Sequence, residues 1–335
     1  MPLTRIHGVA QTGLLGLSAL LCAFVASCYW LRLDGCAAVT FLPPWVWPAP
    51  GLALAGLGWR GGRRAVIAVL LLWCLFLIAV PEESRSLARL RRWPSPTWEQ
   101  AHARGQALRV ISLNCGMEGT KAAAEVVQHD PDIVLLQETP AKAEVEGLAR
   151  RLYGSQAGLA RGVDTDIIAR GTVTAVPQSG KVPFAYIEAD VRLVSGIEAQ
   201  VFSAHFLPPV MRFDVWSPSC WRDHAAKRAV HREQMRELAA AVTAVPPRGP
   251  VILGGDFNVP GGDAIFRLLR PRLHDAFKEG GLGWGNTVLN DTPVSRFDQI
   301  WVSGEFRAAA LVARETKHSD HRMVICDLIV RDSSR

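Results

Sequence analysis

Several short apolar runs in this chain end in, or begin beside, a carboxylate, a histidine or an amide. They read IVLLQETP at Ile133–Pro140, FSAHFLPP at Phe202–Pro209, VILGGDFNVP at Val251–Pro260, RFDQIWVS at Arg296–Ser303 and KHSDHRMV at Lys317–Val324. Runs of this length and composition predict buried strands. A core has little use for polar groups at strand ends, because burying them without partners costs free energy. The pattern predicts a strand-rich fold whose strand ends carry Glu138, His205, Asp256, Asn258, Asp298, Asp320 and His321. Oxygen and imidazole donors of this kind suit a hard metal ion and phosphate hydrolysis.

The amino-terminal part is of another kind. Before Glu82 the only acidic residue is Asp34, and no lysine precedes Lys121. Gly13–Leu31, Cys36–Trp59 and Ala65–Val80 are uncharged, mostly apolar runs apart from the turn that links them, and the second is marked by Pro43, Pro44, Pro48 and Pro50, with Asp34 outside all three. They predict about three membrane spans, or a hairpin plus a segment kinked or re-entrant at the prolines. A cleaved signal peptide would leave the second and third runs unexplained. Trp30, Trp45, Trp47 and Trp59 include several near run ends, where interfacial tryptophan is expected. Arg60, Arg63 and Arg64 crowd the loop between the second and third runs. With three crossings, the tendency of positive loops to stay inside makes this a multi-pass protein with an extracytoplasmic carboxy-terminal domain. The expected organisation is an anchor over 1–82, an arginine-rich juxtamembrane linker over 83–107 and a catalytic domain over 108–331.

The net charge of +6 suits anionic substrates or anionic lipid head groups without choosing between them. Seven cysteines form no CxxC pair, which argues against a structural zinc site. No GxSxG elbow or HExxH pair is present, so a serine-hydrolase or zinc-peptidase mechanism is set aside. Gly281–Gly285 neither follows a clear strand nor opens a helix, and reads as a loop.

From Leu108 the pattern is mixed α and β. Strands are expected at Leu108–Asn114, Ile133–Gln137, Ala185–Leu193, Ile197–Phe206, Val251–Gly254, Gln299–Val302 and Met323–Val330, with helices at Ala122–His129 and Trp221–Val242. The motifs RVISLNCG, DIVLLQE, FSAHF, GGDFN, RFDQIWV and SDH follow one another between Arg109 and His321. In this order they resemble the endonuclease/exonuclease/phosphatase superfamily, over roughly Leu108 to Val330. The resemblance implies an α/β fold, a two-sheet sandwich flanked by helices, and divalent-metal-dependent phosphoester hydrolysis with Mg²⁺ (or Mn²⁺). It further implies that Glu138 is the principal metal ligand with Asn114 beside it, and that Asp320 helps hold the ion. By the same resemblance, Asp256 and Asn258 handle the attacking water and the phosphate. His205 stabilises charge or assists the leaving oxygen, and Asp298 and His321 form a carboxylate–histidine couple.

Two departures stand out. The family's strand ending in Ser-Arg is here DTDIIAR at Asp164–Arg170, with Ala169 in place of serine, which puts phosphate contacts near Arg170 in doubt. Asn114 is followed by Cys115-Gly116, so a polar residue two positions on is missing, and the abasic-site enzymes are a poor guide to substrate.

The residues also make chemical sense. A phosphodiester repels hydroxide, and a hard dication held by oxygens offsets that charge. Asp256 and Asn258, two apart, would share one face of an extended stretch. An aspartate accepting one ring N–H of histidine fixes its tautomer and favours the cation. Singly, each has a plainer role: a core histidine, a turn cap, an Asx turn. Asp130 and Asp132 flank Pro131 as turn residues, His318 reads as a loop residue, and His224 and His231 as core or solvated positions on the long helix. The conjunction predicts a membrane-anchored phosphoesterase, more specifically a phosphodiesterase. Its substrate would be a nucleic acid or a lipid or sugar phosphate, with no obligate protein partner. A catalytically inactive, membrane-tethered binding module is the alternative. In the loop Leu207–Cys220, Met211, Phe213 and Trp216 would stack on a base, dip into lipid, or serve loop packing.

Overall fold

The structure, a computed structural model, describes residues 2–117, 119–177, 185–244, 249–270 and 272–331. It forms two compact units, Met1–Arg85 with Val210–Ala229, and Ser86–Pro209 with Val230–Arg335.

In the first unit Pro2–Leu31 is one helix, α1. The second apolar run is not a long helix. It breaks into Ala37–Phe41, a turn at Pro44–Val46, and Pro48–Leu57 (α2). Proline lacks an amide donor and forces the residue before it out of the helical region, so a helix cannot run through Pro43-Pro44. The third run is Arg63–Ala79 (α3), 17 residues. Among the described residues one helix, Val9–Leu31, is long and apolar enough to cross a membrane. At ~1.5 Å per residue it measures about 35 Å, against ~30 Å of hydrocarbon, whereas α2 at ~15 Å and α3 at ~26 Å fall short. The expectation of about three spans is thus corrected to one candidate, and a multi-pass topology is not supported.

The core of this unit gathers Cys22, Val25, Tyr29, Trp73 and Phe76. The indole of Trp73 donates to Ser18 Oγ at 3.1 Å, which in turn donates to the Gly51 carbonyl at 2.6 Å. The outer faces are apolar too: Leu20, Leu71 and Ile78 are 68 %, 63 % and 69 % exposed. Val210–Ala229, expected within the catalytic region, belongs to this unit. The ring of Phe41 lies 6.3 Å from Phe213 and 4.9 Å from His224. Arg228 donates to the Leu33 carbonyl at 3.0 Å and faces Asp34 at 3.8 Å.

The second unit carries eleven strands among its described residues: β1 (Ala107–Asn114), β2 (Ile133–Gln137), β3 (Ala157–Arg161), β4 (Thr165–Ala175), β5 (Tyr186–Leu193), β6 (Glu198–His205), β7 (Val251–Asp256), β8 (Leu273–Asp275), β9 (Asp298–Ser303), β10 (Phe306–Arg314) and β11 (Met323–Val330). They form one curled mixed sheet in the order β10-β11-β1-β2-β4-β5-β6-β7-β9-β8, with β3 on β4. The long strand β4 turns the corner: Thr165–Ala169 pairs with β2 and Gly171–Ala175 with β5. The two halves face each other as in a sandwich that shares one strand. Leu108, Val110, Ile133 and Leu135 of one half meet Ile187, Val201, Ile252 and Ile300 of the other in one core.

The longer helices of this part of the chain are α4 (Pro96–Ala103), α5 (Lys142–Tyr153) and α6 (Pro218–Val242). The division between the units runs through α6. Much of the arginine-rich stretch before β1 is part of the second unit. Trp98 and Ala101 of α4 are buried against Ala107 and Ala309. The Arg109 guanidinium lies 4.5 Å from the Trp98 ring and pairs with Asp327 at 2.7 Å.

Candidate active site

Strand direction explains where the polar residues gather. β1 and β2 are parallel, as are β6 and β7, while β4, β9 and β11 run against their neighbours. The end of a parallel strand and the start of an antiparallel one therefore meet at a single edge. Asn114, His205 and Asp256 are the last residues of β1, β6 and β7; Glu138 follows β2; Asp298 opens β9; Asp320 and His321 lie just before β11. Asp256 is in register with both His205 and Asp298. Beneath this edge, Gln137 Nε2 donates to Ser203 Oγ at 3.0 Å, joining the two halves by a buried polar contact.

The side chains of the two halves meet at Asn114. Its Nδ2 donates to Glu138 Oε1 at 3.0 Å and to Asp256 Oδ2 at 3.1 Å. Ser319 Oγ donates to the Asn114 carbonyl at 2.7 Å and accepts from His321 N at 3.0 Å, which ties the SDH segment to the end of β1. Asn258 sends its amide nitrogen to the Phe206 carbonyl at 2.8 Å, and its backbone N–H donates to Asp256 Oδ1 at 2.8 Å. Its side chain thus braces the loop after His205, while its backbone orients Asp256. Glu138 and Asn258 both adopt positive φ, 48° and 52°. Non-glycine residues rarely take such angles, and where they do the fold is holding them in place.

Two imidazoles complete the arrangement. His321 Nδ1 lies 2.9 Å from Asp298 Oδ2, and His205 Nδ1 lies 2.6 Å from Asp164 Oδ2. The Nε2 atoms of both rings stand 3.9 Å from one atom, Asp256 Oδ2. Burial alone would lower the pKa of His321. The charge and hydrogen bond of Asp298 outweigh it, with Asp256 and Asp320 adding to the effect, and push the ring up to about 10. His205 is raised in the same way: burial opposes the cation, while the Asp164 hydrogen bond and the charges of Asp256, Asp164 and Glu138 favour it. Asp256 is pushed up to about 6 by burial and by the charge of Asp298, against the pull of His321 and His205.

The oxygen donors test the fit of a dication. A Cβ placed on Gly116 would lie 2.8 Å from Asp320 Oδ1, 3.2 Å from Glu138 Oε2 and 3.4 Å from Asn114 Oδ1. Three oxygens from three segments thus converge over the one residue that has no side chain. The set suits a hard, oxygen-seeking ion such as Mg²⁺. Beside it, Asp256, Asp298 and His321 each bring a ligand atom within 4.8 Å of the others. Asp298 Oδ1 is buried without a hydrogen-bond partner among the described residues, which leaves it acceptor capacity.

All eight residues expected at the site are brought together at this edge. Asp164 was not among them. It precedes β4, and β4 runs against β2, so residue 164 falls beside the end of β2, where Glu138 lies. No sequence signal set Asp164 apart, since the carboxylate directly before the apolar IIA is Asp166. Arg170 lies away from the site: Ala169 pairs with Ile133 at the far end of β2, and the guanidinium pairs with Asp130 at 2.5 Å. Asp132 does more than shape a turn, since it accepts from Arg109 N at 2.8 Å and from His102 at 3.0 Å. His224 and His231 are buried and bond the carbonyls of Arg212 and Leu207.

Residues 111–321 match the sequence profile described as the Endonuclease/Exonuclease/phosphatase family. Solved structures with the same fold include an endonuclease/exonuclease/phosphatase family protein from Bacteroides thetaiotaomicron (18% identity, TM-score 0.51, covering 67% of this chain and 98% of that one). Another is an endonuclease/exonuclease/phosphatase from Beutenbergia cavernae (18%, 0.50, 67% and 72%), and a third is truncated TDP2 from Caenorhabditis elegans (17%, 0.50, 68% and 98%). At these identities the likeness is one of fold. No curated protein sequence matches the chain.

Proposed function

Since the chain belongs to the endonuclease/exonuclease/phosphatase family, whose members are typically phosphoric ester hydrolases, we propose that it is a membrane-anchored, divalent-metal-dependent phosphodiesterase. The observation that carries this reading is the convergence of two carboxylate-held imidazoles on Asp256 Oδ2, next to three converging oxygens.

Glu138, Asn114 and Asp320 would hold the ion, Mg²⁺ or Mn²⁺, which when bound supplies positive charge against the phosphate and the attacking oxygen. The chain's own groups handle the protons. Asp256, a carboxylate above about pH 6, takes the proton of the attacking water. The water oxygen bonds to phosphorus and the bond from phosphorus to the ester oxygen breaks. His205, whose cation Asp164 favours, gives its proton to the departing oxygen, so the products are an alcohol and a phosphate monoester. His321, a cation to about pH 10, donates from Nε2 to a non-bridging oxygen as charge builds there.

The apolar helix α1 supports a membrane anchor. Only 33 % of its most apolar window is buried within the molecule, whereas a core helix would be mostly covered. With α1 as the crossing, the turn that carries Arg60, Arg63 and Arg64 packs beside Gln11 and Thr12 at its amino-terminal end, while α3 returns to Tyr29 at its other end. The tendency of positive segments to stay inside then favours a cytoplasmic amino-terminal end of α1 and an extracytoplasmic catalytic unit.

The test is hydrolysis of bis-p-nitrophenyl phosphate in ¹⁸O-labelled water by the full-length chain in detergent. The label should enter the phosphate monoester, and EDTA should abolish turnover. Label in the nitrophenol, or full turnover in EDTA, overturns the reading.

A further inference from the structure

We propose that Val210–Ser217 lies in the headgroup layer of the bilayer and that the site acts on a phosphoester carried by a membrane lipid. The substrate part rests on the phosphodiesterase reading above.

Trp30, one residue before the end of α1, is 83 % exposed, as an interfacial tryptophan would be. If Val9–Leu31 crosses the hydrocarbon, Trp30–Asp34 marks the headgroup level. Two contacts fasten Val210–Ala229 to that level: Arg228 donates to the Leu33 carbonyl and faces Asp34, and the ring of Phe41 meets those of Phe213 and His224 at a tilt. His224 Nε2 bonds the Arg212 carbonyl at 2.9 Å, and the Trp221 indole donates to the Val215 carbonyl at 2.7 Å, so the loop is shaped by its own helix.

What the loop presents is apolar. Met211, Phe213 and Trp216 are 61 %, 52 % and 83 % exposed. The charges between them are closed on themselves: Arg212 pairs with Asp214 at 2.5 Å and with Asp223 at 2.6 Å. Three large apolar side chains in water are costly, while an amphipathic loop at the boundary of headgroups and acyl chains buries them. The surrounding composition suits an anionic surface, since Arg32, Arg212, Arg222, Lys227 and Arg228 outnumber Asp34, Asp214 and Asp223 in these two segments. Val210 follows His205 by five residues, so the covalent chain allows at most ~18 Å between them. A headgroup phosphate is within that reach, whereas a nucleic acid would need free cations along the loop for its phosphates, and Arg212 is already paired with Asp214 and Asp223.

The test does not need turnover. The emission of Trp216, taken as wild type minus Trp216→Phe, is read from full-length protein in phosphatidylcholine–phosphatidylglycerol vesicles. Lipids brominated near the top of the acyl chain should quench it about twofold or more. An unquenched signal overturns the docking, and a signal quenched by oligonucleotide but not by brominated lipid points to a nucleic-acid groove instead. In a second arm, Met211→Ser/Trp216→Ser should lower the ratio of vesicle-phospholipid to bis-p-nitrophenyl phosphate turnover about tenfold, as expected when two interfacial side chains are lost. An unchanged ratio overturns the substrate class. No wild-type turnover on either substrate defeats the phosphodiesterase reading, while the quenching result still decides the docking.

Discussion

Removing the carboxylate behind His205 should damage activity much as removing the one behind His321 would. Asp164→Asn keeps the shape of the 2.6 Å contact but takes away the charge that favours the imidazolium. We expect kcat to fall on the order of 10²-fold. The alkaline limb of the pH–rate profile should move to lower pH, because the ring then gives up its proton sooner; an unshifted limb would remove His205 as the acid. His321 also makes stability depend on pH. Its folded pKa, about 10, lies above its ordinary 6.5, so the stabilisation is fully present below about pH 6.5 and is lost as pH rises through 10. In EDTA the melting temperature of the wild type should therefore drop relative to His321→Gln between pH 7 and 10, and parallel curves would contradict the assignment. Glu138 and Asp256 were legible because each closes an apolar run. Asp164 was not, because a carboxylate in a loop looks like any turn residue, and its partner lies 41 residues away with no spacing to betray it.

Alternation and apolar runs placed the strands well at the level of elements. Met323–Val330 was expected and found, and Ala185–Leu193 is observed as Tyr186–Leu193. What periodicity cannot carry is strand direction, and direction is what assembles the site. The close approach of β6 and β7 is a case in point. Gly255 has φ 147°, and a Cβ there would lie 1.9 Å from the Ala204 carbonyl oxygen. Gly255→Ala should cost about 3 kcal/mol or more and displace Asp256, seen as a lowered urea midpoint together with lost turnover. The other side of the unit depends on Arg296, which is buried and bonds Asp275 at 2.7 Å. Arg296→Ala strands that carboxylate and should destabilise by about 3–5 kcal/mol by the same measurement, whereas a change within error would mean that the pair is dispensable.

Three apolar runs of similar composition looked alike as spans in the whole molecule, and only chain geometry separates them. Proline cuts the second, and the third stops at 17 residues. With α1 as the anchor, the full-length chain should stay in the membrane pellet through a carbonate wash, and its release would exclude a crossing. A carboxy-terminal green fluorescent-protein fusion should stay dark in a bacterial host if the catalytic unit is extracytoplasmic, and fluorescence would place it in the cytoplasm. All of this serves one claim, that residues distant in sequence converge around a dication and a phosphoester. The most direct measurement is turnover of bis-p-nitrophenyl phosphate with Mg²⁺ by wild type, Glu138→Gln, Asp256→Asn and His321→Gln, prepared alike and shown to be folded. The account predicts metal-dependent turnover by wild type and a loss on the order of 10²–10⁴-fold in each variant. Folded wild type without turnover, or variants that keep it, would contradict the claim.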